Sequence, residues 1–380
     1  MDPRRFVTSS VGVARKTPGA FGYYAFFPKP MPRTLRLQQR TVSLLSEADA
    51  ALGRLAGAGR LLPNPHILVN PYIVREAVAS SSIEGTQASI SDVFDSQASG
   101  EIRGDVAEVR NYILALNRGL ELLPSLPVSL RLVKEIHKTL LEGVRGQERT
   151  PGEFRRTPNW IGSPSGVIND ALYVPPPPDE MQIALGDWER FANAKLAMPP
   201  LIRCALLHYQ FETIHPFLDG NGRLGRLLIV FFLVEQGRLP APLLYISSFF
   251  EQHRQDYYNA LQAVRERGRY QEWLQFFIRA VEVQAKDALD RAEKLADLRE
   301  RYRSDLSSKT RSRAPLVVEE LFETPVVTAR SISTRLGVSI PGAKKLINFL
   351  EAEKILREVP SQPSATKRWF ADEILDVISA

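Results

Sequence analysis

The chain has 380 residues, 44% apolar and 24% charged, with 49 Lys and Arg against 43 Asp and Glu. That length exceeds one ordinary core and sets an expectation of two or three domains, and the ordinary apolar content excludes a chain disordered throughout. The longest apolar run, residues 227–234 (LLIVFFLV), is far short of the roughly 20 residues of a membrane-spanning helix and reads as a buried core helix.

No charged-then-apolar leader opens the chain, and the single Cys204 cannot form an internal disulfide, so the expectation is a cytoplasmic protein that does not enter a membrane. The positive charge is concentrated in residues 1–60, where Arg4, Arg5, Arg15, Lys16, Lys29, Arg33, Arg36, Arg40, Arg54 and Arg60 face only Asp2, Glu47 and Asp49. The first forty residues, rich in Pro, Arg and aromatics, look irregular. Residues 41–62 have helical spacing, broken by Pro63, Asn64 and Pro65. In the helix that follows, Ile73, Val74, Ala77 and Val78 recur at three-and-four spacing, and Gly85 stops it with a left-handed cap. Glu84 therefore falls in the last turn, where unpaired carbonyls disfavour an anion by ~0.3–1 kcal/mol.

Beyond residue 105 the chain reads as helical over residues 106–123, 129–144, 183–197 and 199–214. Residues 159–178 (NWIGSPSGVINDALYVPPPP) depart from this pattern and predict a β-hairpin followed by polyproline. Residues 285–313 predict an exposed charged helix running into a flexible linker. From Ala314 the order changes: a helix, then Thr328 capping a second, Ser339 and Pro341 starting a third, and two short strands around a Pro/Ser turn. That order makes a winged-helix module.

Residues 215–226 (HPFLDGNGRLGR) carry the chemistry. The turn Gly220-Asn221-Gly222 opens directly into a helix, so backbone N–H groups and the positive dipole end point at whatever occupies the turn. Arg223 and Arg226 lie three apart on that helix and would repel unless an anion sat between them. Asp219 is a hard oxygen ligand of the kind Mg²⁺ uses when it also holds phosphate, and His215 is placed to take a proton near neutral pH.

This stretch resembles the Fic-domain signature HxFx(D/E)GNGRxxR, with every specified position present. The resemblance covers roughly residues 25–285 and implies AMP transfer from ATP to a Ser, Thr or Tyr hydroxyl of a target protein, self-modification included. It implies His215 as general base, Asp219 on Mg²⁺, and Gly220, Asn221, Gly222 and Arg223 around the α- and β-phosphates. Arg226 would hold the γ-phosphate, and Ile161, Gly162 and Tyr173 would lie in a flap that pairs with an extended target segment. Tyr257 and Tyr258 read equally as adenine-stacking or core aromatics. Residues 80–85 (SSSIEG) resemble the family's inhibitory helix, (S/T)xxxE(G/N), which implies that Ser80 and Glu84 occupy Arg226 and keep it from ATP.

The resulting expectation is a mainly α protein: an N-terminal helical extension with the inhibitory helix (1–100), a Fic-type core with a β-hairpin flap (101–285), a linker helix (286–313) and a winged helix (314–380). Two rivals stand beside it. His208, Glu212 and His215 share a helix face and read alternatively as the metal ligands of a hydrolase. A winged-helix transcriptional regulator would grip DNA with Lys344, Lys345, Lys367 and Arg368, yet eight Lys and Arg face nine Asp and Glu from Ala314 onward, so DNA binding and protein docking stand level. Removal of AMP by the same site, use of another nucleotide and a homo-oligomer remain open.

Overall fold

A computed structural model describes residues 1–18, 22–61, 66–100, 104–359 and 366–379. The strands β1 (Gly12–Lys16) and β2 (Tyr24–Pro28) pair antiparallel, with Gly12 opposite Pro28 and Lys16 opposite Tyr24. The expectation of an irregular N-terminal segment is thereby corrected. Each strand is only five residues long and neither alternates in burial, so no period-2 signal stood out among the Pro and Arg residues. Ala25 and Phe26 are buried, and a Cβ on Gly12 would collide with the Phe26 ring. Phe26 also donates its N–H to the Val174 carbonyl at 2.9 Å, tying this hairpin to the segment 159–178.

Helices follow in chain order: α1 (Gln39–Leu61), α2 (His66–Ile83), α3 (Ile90–Ser99), α4 (Asp105–Leu122), α5 (Leu130–Leu140), α6 (Pro178–Asn193), α7 (Pro200–Ile214) and α8 (Asn221–Glu235). Then come α9 (Ser247–Gln252), α10 (Arg254–Arg267) and α11 (Tyr270–Ser307). The Pro63-Asn64-Pro65 break between α1 and α2 lies outside the described residues. The sequence reading did not foresee α3, whose start is fixed by a capping box between Ser89 and Asp92. Helices α7 and α8 form the centre: every α7 residue from Leu201 to Ile214 is buried, and α8 is buried through the run 223–233, as its unbroken apolar sequence requires.

The 38-residue α11 is helical as expected but not exposed all round. Ala285, Ala288, Arg291, Leu295, Leu298, Tyr302 and Leu306 recur at three-and-four spacing and are buried, so the charged residues around them are the solvated face of an amphipathic helix. The position 285, taken as the end of the catalytic core, falls inside this helix.

The C-terminal elements are α12 (Ala314–Glu323), β3 (Val326–Val327), α13 (Ala329–Leu336), α14 (Ile340–Ala352), β4 (Arg357–Val359), β5 (Arg368–Phe370) and α15 (Asp372–Ser379). Thr328 and Ser339 cap α13 and α14 as expected. The strands form an antiparallel sheet in the order β3-β5-β4, with α12, α13 and α14 preceding β4 in the chain. Its Pro/Ser turn lies outside the described residues. Neither β3 nor α15 was expected. This module packs on α2: α12 and α15 both contact it, while β3 contacts α3.

Candidate active site

The residues of the HPFLDGNGR stretch form a tight loop between the two central helices. His215 ends α7 in the left-handed region (φ 48°, ψ 63°), a conformation rare for a residue with a Cβ, and Pro216 bars the helix from continuing. Buried groups hold this shape. The His215 carbonyl accepts from Arg155 Nε at 2.9 Å and Asn159 Nδ2 at 3.2 Å, and the Pro216 carbonyl accepts from the Arg155 N–H at 2.9 Å. Asn221 folds back onto Phe217, its Oδ1 accepting from the Phe217 N–H and its Nδ2 donating to the Phe217 carbonyl, both at 2.9 Å.

His137 closes the far side. The Gly152 N–H donates to its Nδ1 at 2.8 Å, so the ring proton sits on Nε2 and is donated to the Asp219 carbonyl at 3.0 Å. Its ring stacks on Phe217 with centroids 3.7 Å apart, and burial pushes its pKa down to about 4. Gly220 then turns the chain at φ 74° and α8 begins with no side-chain cap, leaving first-turn N–H groups directed into the site.

Arg223 and Arg226 are both almost wholly buried, and each has its own carboxylate, which answers the repulsion expected between them. Arg226 Nη2 donates to Glu84 Oε1 at 3.0 Å and to the Ser80 carbonyl at 2.7 Å, and its Nε donates to Ser80 Oγ at 2.8 Å. Glu84 sits just past the end of α2, with Gly85 at φ 93° behind it. Gly222 makes room for it, since a Cβ there would collide with Glu84 Oε1. Arg223 Nη1 donates to Glu108 Oε2 at 3.1 Å, and the same carboxylate accepts from Thr86 Oγ1 at 3.0 Å and Arg145 Nη2 at 3.2 Å. Asp219 is 39% exposed, its Oδ1 accepting from the Gly220 N–H at 2.6 Å and lying 3.7 Å from Arg223 Nη2.

His215 keeps a fifth of its side chain exposed, and burial with the Arg155 and Arg265 guanidiniums pushes its pKa down to about 3, so the imidazole is neutral at pH 7. The metal-ligand reading of His208, Glu212 and His215 does not fit. Both His208 nitrogens are engaged, Nδ1–H with the Gly225 carbonyl at 3.0 Å and Nε2 with the Tyr257 hydroxyl at 2.9 Å. No group of three metal-binding side chains gathers among the described residues. Tyr257 is buried and stacks on Phe250, the core-aromatic alternative, whereas Tyr258 stays 40% exposed. The flap is shorter than the expected hairpin: Ile161 and Tyr173 exchange two backbone bonds at 2.9 and 3.2 Å, and Leu172 donates to Gly162 at 2.9 Å. Tyr173 anchors it, its buried hydroxyl donating to the Thr213 carbonyl at 2.7 Å.

With this geometry in place, two family models match the chain: Fic/DOC family N-terminal over residues 42–121 and Fic/DOC family over residues 127–233. The chain belongs to the Fic/DOC family. It is 30% identical over 246 residues to the protein adenylyltransferase Fic of Culex quinquefasciatus, covering 60% of this chain and 46% of that protein. It is 32% identical over 173 residues to the Aedes aegypti protein of the same name, covering 43% and 31%. The chain thus spans less than half the length of these curated relatives. Among solved structures, a Fic family protein from Desulfovibrio desulfuricans G20 superposes with TM-score 0.58 at 19% identity, covering 90% of this chain and 98% of that one. Fic-1 from C. elegans (residues 134–508) gives 0.51 at 18% identity, covering 67% and 73%. At such identities these two likenesses speak for the fold, a mainly helical Fic arrangement, and for that alone.

Four Fic-site residues escaped the sequence reading: Glu108, His137, Arg155 and Asn159. Their contacts join segments 56–115 residues apart in the chain. Arg155 lies just before the segment 159–178, and its burial among carbonyls was the missing information. Glu108 carried no spacing signal.

Proposed function

We propose that the protein is an autoinhibited adenylyltransferase that moves AMP from ATP to a Ser, Thr or Tyr hydroxyl of a protein. The observation that carries this reading is an uncapped helix N-terminus with two buried arginines, a neutral histidine at its mouth, and a carboxylate from another helix seated on one of the arginines. The first-turn N–H groups of α8 and Arg223 suit the α- and β-phosphates, and Arg226 suits the γ-phosphate. His215 takes the proton of the acceptor hydroxyl as its oxygen bonds to the α-phosphorus. The bond from that phosphorus to the β-phosphate bridge oxygen breaks, and pyrophosphate leaves. Asp219 fits Mg²⁺ as a single exposed carboxylate beside the phosphate cradle, the arrangement in which substrate oxygens supply further ligands. Bound there, the ion would neutralise phosphate charge.

Inhibition follows from Glu84, which takes the guanidinium face of Arg226 that a γ-phosphate would need. The winged helix supports this state in our reading, and protein docking inside the same chain is favoured over DNA binding. Arg368 on the wing pairs with Asp95 of α3, Lys367 lies 2.7 Å from Glu358, and α12 and α15 lie against α2. Two of the four cations once assigned to DNA are therefore engaged. The test is incubation with [α-³²P]ATP and, separately, [γ-³²P]ATP: the first labels protein and the second does not. Label from the γ-phosphate alone overturns the reading.

A further inference from the structure

Glu212 is a buried carboxyl with no place in the reaction just described. It stands one turn before His215 on α7, with Oε2 3.9 Å from His215 Nδ1. Both Glu212 Oε1 and His215 Nδ1 are buried without a hydrogen-bond partner among the described residues, a combination that native structures rarely leave idle. The space for the carboxylate is built by Gly225 of α8, where a Cβ would lie 2.5 Å from Glu212 Oε1.

We propose that Glu212 is the positioning residue of His215: its carboxylate accepts a hydrogen bond from Nδ1–H, so that Nε2 is the unprotonated nitrogen presented to the acceptor hydroxyl. This rests on His215 being the base. Rotation of the Glu212 side chain closes 3.9 Å to bonding distance, and the imidazolium formed on proton transfer then gains an adjacent anion. Two guanidiniums, Arg155 and Arg265, oppose that imidazolium, which makes a compensating carboxylate more valuable. The Glu212 carbonyl also faces the ring but already accepts from Arg265 Nη2 at 3.0 Å. The carboxyl itself is faced by Arg226 from α8, by Arg265 and Tyr257 from α10, and by Glu84. Burial raises its pKa to about 7, with Glu84 adding to the rise, so departure of Glu84 favours its ionised, hydrogen-bond-accepting form.

The test uses the full chain with Glu84→Gly as the active parent and adds Glu212→Gln, which keeps shape and volume. The expected result is a fall in kcat of about 10- to 100-fold with ATP binding, measured by calorimetry, within about 2-fold of the parent. The acid limb of the pH profile of kcat/KM should also move to lower pH by about one unit, because the histidine loses its anion and is left with two cations. Glu212→Asp, which keeps the charge but retracts it, should lose rate while leaving the limb close to the parent's. Rate and limb both unchanged in Glu212→Gln overturn the proposal, and so does loss of ATP binding, which marks a merely structural role. A parent that transfers no α-label overturns the assignment of His215 as base, and this proposal with it, a failure separate from an active parent indifferent to Glu212.

Discussion

Replacing Glu84 should release the enzyme, and the structure bounds the size of the effect. The Glu84 carboxylate meets Arg226 Nη2 at 3.0 Å, with the arginine 1% exposed and the glutamate 33%. Charge centres about 4 Å apart at an effective dielectric near 20 attract by ~4 kcal/mol. One-third exposure of the carboxylate screens this to roughly half, and the unfavourable C-terminal dipole removes ~0.3–1 kcal/mol more. The remaining ~1–2 kcal/mol is a factor of about 5–30 in the fraction of molecules whose Arg226 is free for ATP. Glu84→Gly should therefore raise transfer from [α-³²P]ATP about 5- to 30-fold at saturating target. Glu84→Gln should give a smaller rise, because its amide oxygen still accepts one neutral bond from Arg226 and the Ser80 bonds persist. Adding Arg226→Ala to Glu84→Gly should return the rate to the wild-type level or below. Rates at or under wild type in both single variants, with ATP bound, would refute inhibition by Glu84. A double variant as fast as Glu84→Gly would refute the part assigned to Arg226 in catalysis.

Breaking the wing contact with Arg368→Ala should raise basal transfer about 2- to 5-fold by loosening α3 and α2, with no further gain in a Glu84→Gly background; an equal gain in both backgrounds would show that the wing does not act through Glu84. Glu76 gives a pH-dependent stability prediction. Burial raises its pKa to about 7 although Tyr112 and Ser247 donate to it, so the folded state binds a proton that the unfolded state releases near 4.5. Stability from this group is thus lost as pH rises from about 4.5 to 7. Glu76→Gln should raise Tm relative to wild type more at pH 8 than at pH 5, and an equal difference at both would contradict the assignment.

The Glu84–Arg226 pair was legible through the resemblance of residues 80–85 to the family's inhibitory helix; the anion's place at a helix C-terminus agrees with it but does not by itself choose Arg226 over Arg223. Glu108 near the start of α4 offends no rule, so nothing announced its pairing with Arg223, 115 residues away. Local signals also served the caps of α13 and α14, where Thr328 and Ser339 bond within their own first turns. They failed for β1 and β2, short strands without alternating burial that are tied to the segment 159–178 by the Phe26–Val174 backbone bond, and for α15, which settles against α11 and α2. Tyr257 shows the same limit: an aromatic beside an exposed one reads identically whether it faces adenine or the His208 ring nitrogen.

The central claim, AMP transfer through His215, is tested most directly by mass spectrometry. Glu84→Gly and Glu84→Gly/His215→Ala would each be incubated with ATP and a cell lysate, after calorimetry has shown that both bind ATP. The account predicts AMP adducts on Ser, Thr or Tyr of target protein, this chain among them, in the first sample and none in the second. Adducts of phosphate alone, or AMP adducts that persist without His215, would contradict it.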